Sequence, residues 1–575
     1  MGKRVLVASV CCVLALAGCA GVPSSGPVRV VRRVPAEGPD LPDGPSFRRN
    51  LPPNPPVNAR PADIVRGFLF ANAPSDSDLA IARKYLAPGV SWDPAQSTTV
   101  YSGLRIGAVA ANGDTATVEA SWQRFGTISA DGEFRPPLSA PGSMTFKLRR
   151  AGGEWRLANA PQGALITRDA LKAYQRVTLY FPNASRRLVP HQVFLRSSDQ
   201  PAASVVRALL ARPRGWLAPS LRSALPAGTE LLDPPTVVDG VVTVNLSREV
   251  RRAPQDTIGM LIAQVTWTLT EPALAVDAVR LLAEGEPLVA PERPDLREHR
   301  RTDWEEHSPL PRPFDERLFF VRDAAPYAID PGGAVSRVAS LTGVRSFAVN
   351  RAGTHLAAVT RLAGGREALV VSQLDGSPRQ VLTADRITAP TWEPGNDVVW
   401  AAATNDGSAQ VVAVPVTGSV AAVPATLPPG RLESLRLSPD GSRVALVVEG
   451  RPGRGSLWVA RVERTAVGGR VIAEPRAVAP SVSSVTAAAF DGVGQIVLAG
   501  VYGSVPTLVR LDVDGFNLTS QRVQGLPAGV VAALTSSTGT PPDRVASVAG
   551  RMYRRTPGAD WAPIAGTGTA ATYAG

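Results

Sequence analysis

Between Asp315 and the C-terminus, turn-type glycines recur at Gly353, Gly395, Gly441 and Gly492, spaced 42, 46 and 51 residues apart. Each closes a short run bearing serine or an aromatic residue, as in Arg345-Ser346-Phe347-Ala348-Val349-Asn350 and Ser434-Leu435-Arg436-Leu437-Ser438-Pro439-Asp440. An apolar run follows, such as His355-Leu356-Ala357-Ala358-Val359 or Arg443-Val444-Ala445-Leu446-Val447-Val448. Further strand-like pieces come next, among them Leu457-Trp458-Val459-Ala460-Arg461 and Leu508-Val509-Arg510-Leu511-Asp512. A period of about 40–50 residues with four strands per unit is the pattern of a β-propeller. Residues 315–575 therefore predict an all-β propeller of five or six blades, with a stacked sandwich of similar strands as the alternative.

Upstream, the pattern is mixed. Residues 61–170 read as a small α+β domain. Pro61-Ala62-Asp63 opens a helix that places Ile64, Val65, Phe68 and Leu69 on one face. Asp76-Ser77-Asp78 offers N-caps to a second helix with Leu79, Ala82 and Leu86. The period then changes to two at Ala116, Val118, Ala120 and Trp122, and at Met144, Phe146 and Leu148. Asn112-Gly113 and Asp131-Gly132 supply turns, and Gly152-Gly153-Glu154-Trp155 a closing hairpin. Two helices on a curved sheet predict a cone, with its aromatic residues either filling the core or lining a cavity. Residues 171–290 form a second α+β domain. It carries a Val177–Pro182 strand, a helix with Val205, Val206, Leu209 and Leu210, and a hairpin turning at Asp239-Gly240. A further helix sets Ile258, Leu261, Ile262, Val265 and Leu269 at helical spacing. Residues 291–314, rich in charge and proline, read as a solvated linker.

Cysteine usage bounds the chemistry. The three cysteines are Cys11, Cys12 and Cys19, so residues 20–575 can hold neither a disulfide nor a cysteine-based metal site. Lys3 and Arg4 precede an apolar stretch from Val5 to Ala17, too short to span a bilayer but suited to a signal peptide over residues 1–18. It ends Leu16-Ala17-Gly18-Cys19, which resembles the lipobox of bacterial lipoproteins. That resemblance implies cleavage between Gly18 and Cys19, with N-acyl and S-diacylglycerol groups on Cys19. Two or three chains make a durable membrane anchor where one would not. Residues 19–60, with paired prolines at Pro52-Pro53 and Pro55-Pro56, read as a lipidated, semi-rigid tether reaching up to roughly 120 Å. The expected location is the extracytoplasmic face of the cell membrane.

Catalytic material is sparse. Four histidines are scattered through 575 residues, and no phosphate-binding loop, nucleophile elbow or paired-histidine zinc motif occurs. His299 and His307 stand among Glu298, Asp303, Glu305 and Glu306, a set that suits zinc only if its surroundings are fixed. In a solvated linker they are not, so no metal or other cofactor is expected. Asp375, Asp406, Asp440, Asp491 and Asp514 could pair for glycoside hydrolysis. Each precedes a glycine, however, which marks tight turns at the blade edges, and no catalytic residue is assigned. His355 reads as a blade residue. Net charge is +12, with Lys+Arg at 61 against 49 acids, yet no basic run interleaves with aromatics as nucleic-acid binding would require.

Within residues 171–290 the order Tyr180-Phe181-Pro182, Ala208-Leu209-Leu210, Leu225-Pro226-Ala227-Gly228-Thr229 and Val244-Asn245-Leu246-Ser247 resembles a GerMN domain. The whole order of lipobox, proline-rich tether, α+β domain opening Asp63-Ile64-Val65-Arg66-Gly67-Phe68-Leu69, GerMN-like domain and propeller resembles the LpqB family of actinobacterial lipoproteins. The resemblance implies a non-catalytic accessory that contacts the extracytoplasmic domain of the sensor kinase of the MtrAB two-component system, influencing envelope homeostasis and division. Two other readings stand beside it: an envelope hydrolase using propeller carboxylates, and a small-molecule sensor using the N-terminal cone.

Overall fold

The computed structural model describes residues 52–72, 79–138, 141–310, 315–395, 397–465, 468–521, 523–537 and 542–575. Asp76-Ser77-Asp78, the signal peptide, Gly18 and Cys19 lie outside the described residues. No helix among the described residues is long and apolar enough to cross a membrane.

In the N-terminal domain, helix Pro61–Ala71 begins on a proline, whose fixed φ and missing N–H suit the first helical turn. It buries Ile64, Val65, Phe68 and Leu69 against a sheet built on two long antiparallel strands, Ser97–Asn112 and Thr115–Ser129. Register shifts along that pair bend the sheet round the helix. The edge strand Ala164–Thr167 adds in parallel. The cone is filled with side chains. Phe68 sits edge-on to Trp92 and Phe146 at 5.3 and 6.4 Å, and the Trp92 indole N–H donates to the Gly163 carbonyl at 2.9 Å. Gly67 is required because a Cβ there would fall inside the Tyr85 ring, whose hydroxyl donates to the Pro53 carbonyl at 3.0 Å. The second helix is shorter than its apolar pattern, Ala80–Lys84, and Leu86 instead bridges to Leu157. Residues 52–60 also depart from the tether reading. Lys84 donates to Asn54, and the Asn58 amide donates to Glu154, so this stretch is held on the domain.

The second domain packs helices Pro201–Leu210 and Gln255–Leu269 with the long hairpin Tyr174–Pro182/Leu188–Arg196 and a small mixed sheet. In that sheet Val241–Leu246 pairs in parallel with Ala278–Ala283. The Asp239-Gly240 turn forms with φ of 49° and 74°, the left-handed pair that a two-residue hairpin needs. The linker expected at 291–314 is corrected over 291–310, which pack onto this domain. His299 pairs its backbone with Val279, and Trp304, fully buried, lies under Arg293 at 4.4 Å and beside His299 at 5.7 Å. One large apolar side chain anchors a segment whose prolines and charges had spoken for solvent.

Among the described residues the C-terminal domain is a ring of six sheets. Five run in simple order from Val344–Val349 to Ala562–Thr567. The first blade is composite: Leu318–Arg322, Ala325–Ile329 and Val335–Arg337 are completed by the last strand, Thr569–Tyr573. The innermost strands of neighbouring blades lie against one another all the way round, closing the ring and excluding a sandwich. Gly353, Gly441 and Gly492 adopt φ of 70°, 73° and 83°, whereas Gly395 occupies its turn without left-handed backbone.

Candidate functional site

The five Asp-Gly aspartates do not occupy one repeating position, which corrects the expectation of uniform edge turns. Asp375 and Asp406 are exposed at hairpin tips. Asp440 is buried and accepts the Ser438 hydroxyl at 2.7 Å and the Ser442 amide at 2.8 Å. Asp491, also buried, is clamped by Arg510 at 2.9 Å, Arg544 at 2.7 Å and the Ser536 hydroxyl at 2.6 Å. Burial opposes its ionisation, but Arg544, Ser536 and Arg510 outweigh that and hold its pKa below the ordinary carboxylate range. Glu393, which the sequence did not single out, accepts the Trp400 indole N–H at 2.7 Å and pairs with Arg464 and Arg470. Its pKa is likewise held down by those two arginines against the cost of burial. Carboxylates locked as anions in structural ion pairs hold no proton to donate at neutral pH. His355 starts a blade strand, as expected. No cluster of three or more metal-ligating side chains occurs among the described residues, and His299 and His307 are placed round Trp304 instead.

Asp514 leads to the feature that sequence reasoning missed. Arg176, from the second domain, reaches Asp512 at 3.0 Å and Asp514 at 2.9 Å on the propeller. The same guanidinium lies over the ring of Phe516 at 4.5 Å. Phe516 in turn is caged edge-on by Phe134 at 5.0 Å and Phe125 at 6.0 Å from the N-terminal domain, and by Phe194 at 5.1 Å from the second. All three domains thus meet on one ring.

A second tie lies alongside. The buried carboxylate of Glu133 accepts the Trp216 amide at 2.9 and 3.0 Å and pairs with Arg476 at 3.3 Å, and Arg476 lies over the Trp216 ring at 4.8 Å. Gly215, with φ of 78°, lets that loop approach, because a Cβ would collide with the Glu133 carboxylate. Burial and the neighbouring Arg135 pull the Arg476 pKa to about 10, still well above neutrality. Arg443 donates across the seam to the Pro190 carbonyl at 2.6 Å, and Asn183 to that of Asp440 at 2.9 Å. Between these ties lies a cavity of about 250 Å³ bordered by His191, Trp216, Arg443, Trp458 and Val513. Buried ion pairs add little net stability but penalise any wrong arrangement, so this seam fixes how the domains face one another. Replacing Phe516 with Ala is expected to lower stability by about 3 kcal/mol. Calorimetry is then expected to separate the propeller transition from that of the α+β domains. A single unchanged transition would refute the assignment.

Fold and seam together define a class: multidomain chains with two α+β domains docked on a terminal six-bladed propeller. Residues 54–172 match the family described as Lipoprotein LpqB, N-terminal domain, and residues 331–572 match the Lipoprotein LpqB beta-propeller domain. Residues 178–289 match a family described as Sporulation and spore germination. Lipoprotein LpqB of Streptomyces coelicolor is 30% identical over 570 residues, covering 89% of this chain and 88% of that one. Its counterpart in Rhodococcus jostii is 29% identical, covering 93% of each. The chain belongs to the LpqB lipoprotein family. Among solved structures, TolB from Acinetobacter baumannii aligns at TM-score 0.35 and 14% identity, over 53% of this chain and 84% of that one. The first GerMN domain of the sporulation protein GerM from Bacillus subtilis aligns at TM-score 0.19 and 23% identity, over 22% and 99%.

Proposed function

We propose that this chain is a non-catalytic accessory, lipid-anchored through Cys19 on the extracytoplasmic face of the cell membrane. Its partner is the extracytoplasmic domain of a sensor kinase, that of the MtrAB two-component system, whose signalling in envelope homeostasis and division it modulates. Family membership and the Leu16-Ala17-Gly18-Cys19 sequence support the anchor. The observation that carries the binding role is the seam around Phe516 and Glu133, which holds three domains as one rigid presenting surface. A preorganised surface binds without the entropic cost of ordering its parts. Affinity capture from membranes tests the reading, with Cys19 intact or replaced by Ala. The intact chain is expected to enrich the kinase from the membrane fraction and the Cys19→Ala chain to leave that fraction. If neither form captures the kinase or another envelope protein, the reading fails.

A further inference from the structure

Beside the seam, and sharing Pro136 and Leu138 with the smaller cavity, runs an open groove of about 730 Å³. All three domains contribute walls, and the volume falls within the roughly 300–1,000 Å³ of ligand pockets. Its charge is one-sided. Arg124, Arg168, Lys172 and Arg176 line it, and among the described residues no aspartate or glutamate does. Arg176 is consumed by Asp512 and Asp514. Arg124 and Arg168 form no ion pair among the described residues. Among the described residues Lys172 meets only Asp169, at 3.9 Å and with both side chains almost fully in water.

The rest of the lining is apolar and aromatic. Phe125, with Arg168 over its ring at 4.6 Å, continues into Phe516 and Phe194. Leu138, 81% exposed, and Tyr502, 39% exposed, stand at the rim. The groove is preformed, since Gly515 at φ of 90° brings its backbone so close to Val478 and Pro136 that no Cβ would fit.

A row of cations, of which Arg124 and Arg168 form no ion pair among the described residues, beside a continuous apolar floor is complementary to an anionic head attached to an apolar chain. We propose that this groove binds one molecule of an anionic amphiphile. Its phosphate or carboxylate head is held by Arg124, Arg168 and Lys172, and its hydrocarbon chain lies along Phe125, Phe516 and Leu138. The occupant is taken as a single molecule, not as a membrane surface, because the groove is concave and walled by three domains.

The test uses the mature chain with Cys19→Ala, so that its own acyl groups cannot compete, and dodecyl phosphate kept below its micelle concentration. Titration calorimetry is expected to show one saturable site. Inorganic phosphate and dodecanol are each expected to bind at least tenfold more weakly, since each presents only half of the complementary chemistry. The double variant Arg124→Ala/Arg168→Ala is expected to weaken dodecyl phosphate at least tenfold. Arg105→Ala, an exposed arginine of the same domain outside the groove, is expected to leave binding unchanged. Unaltered binding in the double variant, several molecules per chain, or equal binding of inorganic phosphate would each overturn the proposal. So would flotation with phosphatidylglycerol vesicles in the absence of monomer binding, which would indicate surface adsorption.

Discussion

A chain ending at Gly568 is expected to lose the cooperative unfolding of its propeller altogether. The missing strand, Thr569–Tyr573, is the innermost strand of the first blade and pairs with Leu318, Phe319 and Val321. Its ends also tie two neighbours. The Tyr573 amide donates to the Thr535 hydroxyl at 3.2 Å in the sixth blade, and the Gly575 amide donates to the Val349 carbonyl at 2.9 Å in the second. Removing it opens the ring and strips the inward edge of Leu318–Arg322, a strand whose Leu318, Phe319 and Phe320 side chains are buried. Each buried backbone group left without a partner costs about 1–3 kcal/mol. Several at once match or exceed the roughly 5–15 kcal/mol by which a domain is stable. The open edge is also a template for pairing with other chains. Calorimetry and gel filtration are expected to show no native propeller transition and a shift of the protein into aggregates. A truncated chain that stays monomeric and melts within a few degrees of the intact one would show that the closure does not hold the ring.

The same strand illustrates what a sequence exposes. Repeating glycines announce blades because Gly353, Gly441 and Gly492 fill positions where a side chain strains the backbone, and such requirements are local. The Asp239-Gly240 hairpin and the helices at Pro61–Ala71 and Gln255–Leu269 are legible for the same reason. Thr569–Tyr573 resembles any other short strand, and its pairing with residues some 250 positions earlier is a tertiary fact. Asp491 shows a related limit. Its Asp-Gly step describes the backbone, while its chemistry is set by Arg510 and Arg544, which arrive from two adjacent blades. The junction was hidden more completely. Glu133, Trp216, Arg476 and Phe516 are each unremarkable locally, and only docking of three domains makes them neighbours. In residues 291–310 composition pointed to solvent, and a single Trp304 decided otherwise.

Acid is expected to begin weakening the α+β half of the molecule above the range in which ordinary carboxylates titrate. His191 and His299 are both buried, and burial lowers each pKa from 6.5 to about 4. Around His191, Glu133 pulls the value up and Arg443 pushes it down; around His299, Asp303 raises it while Arg293 and Arg297 lower it. Desolvation dominates in both, so the native chain refuses a proton that the unfolded chain accepts. Between pH 6.5 and 4 the unfolded state therefore binds more protons, and stability rises with pH. The contribution is fully present above the unfolded value and is lost progressively as pH falls toward the folded one. Each histidine accounts for about 3 kcal/mol across that window. Asp491 and Glu393, held below the ordinary carboxylate range, lose their contributions only at still lower pH. Urea unfolding at pH 7.5 and 4.5, monitored by tryptophan emission, is expected to show a fall of several kcal/mol. The His299→Leu variant separates the causes. Neither ring nitrogen of His299 has a hydrogen-bond partner among the described residues, so an apolar replacement leaves nothing unsatisfied. That variant is expected to keep its stability at pH 7.5 within about 1 kcal/mol and to lose about 3 kcal/mol of the pH dependence, His307, whose pKa burial also lowers, keeping its share. A pH profile identical to that of the unmodified chain would mean that His299 already carries its proton in the folded state.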